Sequence, residues 1–149
     1  MAAVRSKNTR PEKTVRSMLH RMGLRFRIHD RQLPGTPDIV LTKHRTVVEV
    51  LGCFWHRHPG CRLASNPASH REFWLEKFRR NVSRDKANRQ ALRKMGWRTV
   101  IVWECEIRKP DRLERRLRKT FRLDDSCGHA RQPRAGERPK CHRRPPRRG

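Results

Sequence analysis

Residues 52–61 read Gly-Cys-Phe-Trp-His-Arg-His-Pro-Gly-Cys, which sets two thiols, two imidazoles and two adjacent aromatic rings within one short stretch. Thiolates and imidazoles a few residues apart can fold back onto one tetrahedral ion, so Cys53, His58 and Cys61 have the spacing of zinc ligands. Such a set needs a fourth ligand from elsewhere. Cys105, just after the apolar run Thr99-Val100-Ile101-Val102-Trp103, is the best supply. A closed four-ligand site is structural, and it would staple this loop to a distant strand. It would also leave Phe54, Trp55 and His56 on a rigid, metal-braced loop, an arrangement suited to a working site. The plainer alternative is a metal-binding loop without chemistry.

A second constellation is Pro37-Asp38 followed, one hairpin later, by Glu49. Two carboxylates on neighbouring strands can converge at one edge of a sheet, and hard divalent cations such as magnesium take oxygen ligands of this kind. A cation held there activates water and neutralises charge at a phosphodiester. The competing reading is that Asp38 caps a turn and Glu49 is a solvated strand residue; the pair alone does not decide between them.

Charge narrows the class of partner. The 149 residues carry 39 Lys and Arg against 14 Asp and Glu, a formal net charge of +25. Such a field attracts polyanions, nucleic acid first among them. The length is that of one ordinary domain. No apolar run approaches a membrane span, and the basic start has no apolar stretch after it, so neither a membrane nor a secretion signal is expected. A reducing cytoplasm follows, and there clustered cysteines read as metal ligands rather than disulfides. Cys127 and Cys141 fall in a polar tail and carry no expected role.

The elements that must position these residues alternate between helix and strand. Thr9-Arg10-Pro11-Glu12 has the form of a capping box with proline in the first turn. Val15, Met18, Leu19 and Met22 then recur at helical spacing up to Gly23. Arg25–His29 predicts a short strand, Pro34-Gly35-Thr36-Pro37 a turn, and Asp38–Leu41 and Arg45–Leu51 two further strands. A long helix is expected from Ser69 to Met95, a strand over Arg98–Trp103 and a basic helix over Asp111–Phe121. This order predicts an α/β sandwich, a central mixed sheet flanked by helices. The domain is expected over 1–122. The tail over 123–149, rich in Pro, Gly and Arg, cannot bury a core and is expected to be disordered.

Five segments occur in order: Pro34-Gly35-Thr36-Pro37-Asp38, Gly52-Cys53-Phe54-Trp55-His56, Glu72-Phe73-Trp74-Leu75-Glu76-Lys77, Asn81-Val82-Ser83-Arg84-Asp85, and Gly96-Trp97-Arg98 through Val102-Trp103-Glu104-Cys105. Together they resemble the very short patch repair (Vsr) family of bacterial mismatch endonucleases, over roughly Ser6 to Phe121. The combination is specific, although its single pieces are not. The resemblance implies a restriction-endonuclease-like fold with a structural zinc held by Cys53, His58, Cys61 and Cys105. It implies a magnesium-dependent nick on the 5′ side of the thymine in a T·G mismatch, the product of 5-methylcytosine deamination. By the same resemblance Asp38 is the metal-binding aspartate, and His56 is a candidate to activate the attacking water. Glu12 is an acid of the first helix that reaches the active site, and Phe54 and Trp55 wedge into the base stack beside the mismatch. Asn81 and Asp85, one helical turn apart, support the site from the long helix, and Arg57 in the same loop is a candidate DNA contact. The implied partner is duplex DNA containing the mismatch, met by a monomer in the cytoplasm, with mismatch-repair proteins as further partners.

Two positions depart from the family pattern. Leu51 stands immediately before Gly52, where the family usually has a histidine, and leucine neither binds phosphate nor takes a proton. Glu49, in contrast, stands where the broader nuclease superfamily places its second acid. A rearranged site, with Glu49 and Asp38 sharing the magnesium, is one outcome. A nickase of the same fold with altered specificity and a catalytically weakened, zinc-stapled DNA-binding protein are the others. The family also carries an intercalating methionine in a basic arm ahead of the first helix. Spacing back from Glu12 puts that residue at Met1, so the arm is expected to be absent or truncated.

Overall fold

The computed structural model describes residues 8–123; Met1, Cys127, Cys141 and the expected tail beyond Leu123 lie outside the described residues. Helix α1 (Arg10–Arg21) leads into a four-stranded sheet made of β1 (Arg27–Ile28), β2 (Ile39–Leu41), β3 (Thr46–Leu51) and β4 (Arg98–Trp103). A long helix, α2 (Arg71–Lys94), lies between β3 and β4, and α3 (Glu104–Ile107) and α4 (Pro110–Phe121) follow. The strands run in the spatial order β1-β2-β3-β4. The first three pair antiparallel. β4 pairs parallel with β3, from Thr46 opposite Arg98 to Leu51 opposite Trp103. A parallel neighbour needs a crossover, and α2 supplies it. The mixed sheet with flanking helices is the α/β architecture that the element order predicts.

Strand alternation divides the apolar side chains between two layers. Ile39 and Leu41 of β2, Val48 of β3, and Val100 and Val102 of β4 face Val15, Met18 and Leu19 of α1 and Leu113, Leu117 and Phe121 of α4. Val40 and Val47 turn the other way, onto Leu92 of α2, with Leu33 and Trp97 beside them. Val15, Met18, Leu19 and Met22, whose helical spacing marks them in the sequence, lie in the first core, and element ends are shifted by at most one or two residues from those the sequence predicts. No described helix is long and apolar enough to cross a membrane.

The capping box is made. Glu12 N–H donates to Thr9 Oγ1 at 3.3 Å, and Thr9 N–H donates back to Glu12 Oε1 at 3.3 Å. The one-turn helix α3 is an addition to the predicted elements. Its first turn is fixed when Trp103 N–H donates to Glu106 Oε2 at 2.9 Å, and Arg116 of α4 bonds the same oxygen at 3.1 Å. The glycine of the Pro34-Gly35-Thr36-Pro37 turn is required twice. Its φ is +76°, a region that disfavours side chains, and a Cβ would lie 2.5 Å from Asn88 Nδ2. This turn therefore seats directly on α2.

Candidate active site

A cleft of about 770 Å³ opens where the C-terminal end of β3, the start of α1 and the middle of α2 meet. Asp38, one residue before β2, is anchored there: its Oδ2 accepts the Val50 N–H of β3 at 2.8 Å. The donor atoms of Glu12, His29 and Asp38 lie within 4.8 Å of one another. Burial pushes the Asp38 carboxyl up to about 6, the Val50 N–H opposes this, and the charges of Glu12 and Glu49 raise it further. A buried acid with acidic neighbours is a site that a divalent cation would relieve, and its oxygen donors suit a hard one.

Glu12 reaches this cluster although it completes the capping box. One oxygen serves Thr9, and Oε2 accepts from Arg16 at 2.8 Å. It is almost fully buried, at 3% exposed. The capping role and the cleft role coexist in one side chain. Glu49 follows Val47 onto the α2 side of the sheet, where its Oε2 accepts from Arg89 Nε at 2.9 Å. Burial raises the Glu49 carboxyl, and the Arg89 bond lowers it in opposition. Glu49 and Asp38 thus line one cleft, with Glu49 turned to an arginine and Asp38 grouped with Glu12 and His29.

His56 lies across the cleft, on the loop after β3. Its Nδ1 is hydrogen-bonded to Asp85 Oδ2 of α2. A carboxylate only accepts, so Nδ1 carries the proton and Nε2 is the basic nitrogen. Asn81, one turn before Asp85, donates from Nδ2 to the Trp55 carbonyl at 3.2 Å. Two residues of α2 therefore hold the loop, one at the imidazole itself and one at the backbone carbonyl just before it.

Cys53, His58, Cys61 and Cys105 bring one donor atom each within 4.8 Å of the others. The Cys53 and Cys105 sulfurs lie 3.6 and 3.3 Å from His58 Nδ1. The parallel register explains how residues so far apart in sequence meet. Leu51 pairs with Trp103, so the positions two residues beyond each, Cys53 and Cys105, emerge at the same end of the sheet. The His58 ring stacks on Trp103 at 4.2 Å, which fixes its direction. Three thiols and one imidazole at these separations match a tetrahedral zinc donor set.

The aromatic residues of the loop divide. Phe54 packs edge-on against Trp55, Trp74 and Phe78 at 5.0–5.6 Å. Trp55 lines the cleft, with Lys77 Nζ 5.2 Å from its ring centre. Arg57 turns inward: its guanidinium lies over Phe78 and donates to the Ser65 carbonyl and Asn66 Oδ1.

The family model described as DNA mismatch endonuclease Vsr matches residues 1–62. The chain is 52% identical over 118 residues to the type II nicking enzyme V.XorIIP of Xanthomonas oryzae pv. oryzae, across 79% of this chain and 86% of that protein. The chain belongs to the Vsr family. It is also 45% identical over 113 residues to the DNA mismatch endonuclease Vsr of Escherichia coli K12, across 76% of this chain and 72% of that one. A third relative, the type II nicking enzyme V.NmeAIP of Neisseria meningitidis serogroup A, is 42% identical over 122 residues, across 82% and 86%.

Within this Vsr-family cleft stand residues that sequence reasoning does not single out. His29 arrives through the β1–β2 pairing, when its N–H donates to the Asp38 carbonyl at 3.4 Å; no local motif marks it. Asn88, which also lines the cleft, carries a signal that is visible in retrospect. Asn81, Asp85 and Asn88 form an i, i+4, i+7 polar line along α2, and the cleft lies against it.

Proposed function

We propose that this chain is a strand-specific endonuclease that nicks duplex DNA 5′ to the thymine of a T·G mismatch, by magnesium-dependent phosphodiester hydrolysis on a restriction-endonuclease-like, zinc-stapled fold. The observation that carries this reading is one cleft shared by the Asp38–Glu12 carboxylates, the Asp85-held His56 and the Trp55 ring. It unites groups for phosphodiester chemistry with an aromatic side chain suited to a weakened base stack. The Vsr-family relatives, one of them named a mismatch endonuclease, support the same substrate class. The test is a nicking assay with magnesium on T·G and matched duplexes. Nicking of the thymine strand alone is expected, and equal cutting of both duplexes would reject the mismatch reading.

Asp38 would hold the magnesium, with Glu12 beside it and Glu49 as the further acid of the cleft. Bound there, the cation would activate water and neutralise charge on the scissile phosphate. Asp85 holds the His56 proton on Nδ1, so His56 presents Nε2 as a base to the attacking water. Cys53, His58, Cys61 and Cys105 would hold zinc, which braces the loop that carries His56. A positioned general base contributes about 10²–10⁴-fold, so His56→Ala is expected to lose nicking within that range while retaining DNA affinity. An undiminished single-turnover rate would remove His56 from the chemistry.

Recognition separates from affinity. Lys and Arg contacts to phosphate position the protein and weaken with salt, but carry no base information. Aromatic insertion costs a few kcal/mol per unstacked step, and less at a mispair. The Phe54→Ala/Trp55→Ala variant is therefore expected to bind T·G and matched duplex alike, with non-specific binding largely intact. Binding isotherms on both duplexes at two salt concentrations check this. A retained T·G preference would assign both rings to packing.

A second reading, a catalytically weakened, zinc-stapled DNA-binding protein of the same fold, is favoured by Leu51. The leucine lines the cleft where the family usually has histidine, and it offers no polar atom to substrate.

A further inference from the structure

We propose that Arg89 is a positioning residue for the nicking reaction, its guanidinium tying Glu49 of β3 to Asp85 of α2 and so fixing Asp85 against His56. The proposal rests on the nickase reading above. Arg89 Nε donates to Glu49 Oε2 at 2.9 Å, and its Nη2 lies 3.8 Å from Asp85 Oδ2, the oxygen that holds His56 Nδ1. One cation therefore stands between two carboxylates, whose side chains are only 13% and 12% exposed. Without it, two like charges face each other across the seam between sheet and helix, where solvent screens them weakly. Asp85 then lowers that repulsion by turning from His56, which frees the imidazole.

The geometry is specific to the planar fork. Arginine presents several N–H donors in one plane and can serve two carboxylates together, whereas lysine offers a single point charge. Arg89 lies one helical turn after Asp85, so α2 sets the distance between the two side chains. Glu49 fixes the third corner through the β3 register, opposite Ile101 of β4. Arg89 is not among the residues lining the cleft. It acts through Asp85, as outer-shell partners orient metal ligands and catalytic imidazoles elsewhere.

The experiment compares wild type, Arg89→Met, Asp85→Asn and the Arg89→Met/Asp85→Asn double variant. It measures single-turnover nicking at saturating protein, and affinity for T·G duplex by fluorescence anisotropy. Arg89→Met is expected to lower the rate about 10–100-fold, the usual scale for outer-shell partners, with affinity changed less than about threefold. The double variant is expected to be no slower than Asp85→Asn alone, because both changes break one connection. An Arg89→Met rate equal to wild type, or multiplicative losses in the double variant, would overturn the proposal. Should Arg89→Met not fold, Arg89→Lys carries the test: a rate loss of about threefold or more with unchanged affinity supports it, and a wild-type rate overturns it. A wild-type protein that nicks no duplex overturns the nickase reading and this proposal with it, whereas a nicking wild type with an unaffected Arg89→Met overturns the proposal alone.

Discussion

Asp38→Asn is expected to abolish nicking and, in the metal-free protein at neutral pH, to raise the melting temperature. Both effects come from one environment. Burial and the charges of Glu12 and Glu49 lift the Asp38 carboxyl from 3.8 to about 6, against the Val50 N–H and Arg16. The folded state thus binds the proton more tightly than the unfolded chain does. The stabilising contribution of protonated Asp38 is complete below about pH 4 and is lost as pH rises through about 6. At neutral pH the ionised group destabilises the fold, by at most about 3 kcal/mol for a shift of this size. Asparagine keeps an oxygen for the Val50 N–H and removes the charge, so a gain of a few degrees is expected. It also removes the charged oxygen that would hold magnesium, and nicking should fall on the order of 10³-fold or more, while DNA binding persists. Undiminished nicking by Asp38→Asn would reject the site. An unchanged melting temperature between pH 5 and 8, for both wild type and variant, would reject the strained-acid account.

The sequence carries the elements and the candidate ligands Cys53, His58, Cys61, Cys105 and Asp38 more fully than it carries the connections between them. Helix α1 is legible because its cap and its Val15-Met18-Leu19 stripe are local facts, and β2 and β3 because their apolar runs are bounded by turn residues. Cys53, His58, Cys61 and Cys105 are chosen by ligand type, but their meeting depends on a parallel β3–β4 register that no local pattern specifies. Glu49 shows the limit most clearly. Its position on β3 marks it as an acid near Asp38, and the register then sends its carboxylate to Arg89, a residue 40 positions away. His29 is illegible for the same reason, since only the pairing of β1 with β2 brings it to Asp38. Arg57 reads as a candidate DNA contact, and its guanidinium lies over Phe78 of α2, a contact that no local pattern specifies.

Cys105→Ala is expected to lower zinc content and melt the protein at a lower temperature, with nicking lost in consequence. Cys105 is the one member of the set outside the loop, since it lies in α3 while Cys53, His58 and Cys61 follow β3. Removing it leaves three candidate ligands in the loop after β3 and none from α3. Structural zinc binds with an apparent free energy of about 10–16 kcal/mol at pH 7, and where the site forms only on folding, this is folding free energy. Losing even a fraction of it is large against the roughly 5–15 kcal/mol of net stability typical of a native protein. The functional loss follows from geometry. His56 lies between Cys53 and His58, so the loop that zinc would fix is the loop that presents the imidazole to Asp85. Zinc analysis by mass spectrometry, thermal melting and nicking should therefore decline together, and chelation of the wild type should reproduce all three. Full zinc occupancy with an unchanged melting temperature in Cys105→Ala would break the four-ligand assignment. A variant that loses zinc yet nicks at the wild-type rate would show that α2, through Asn81 and Asp85, holds the loop without the metal.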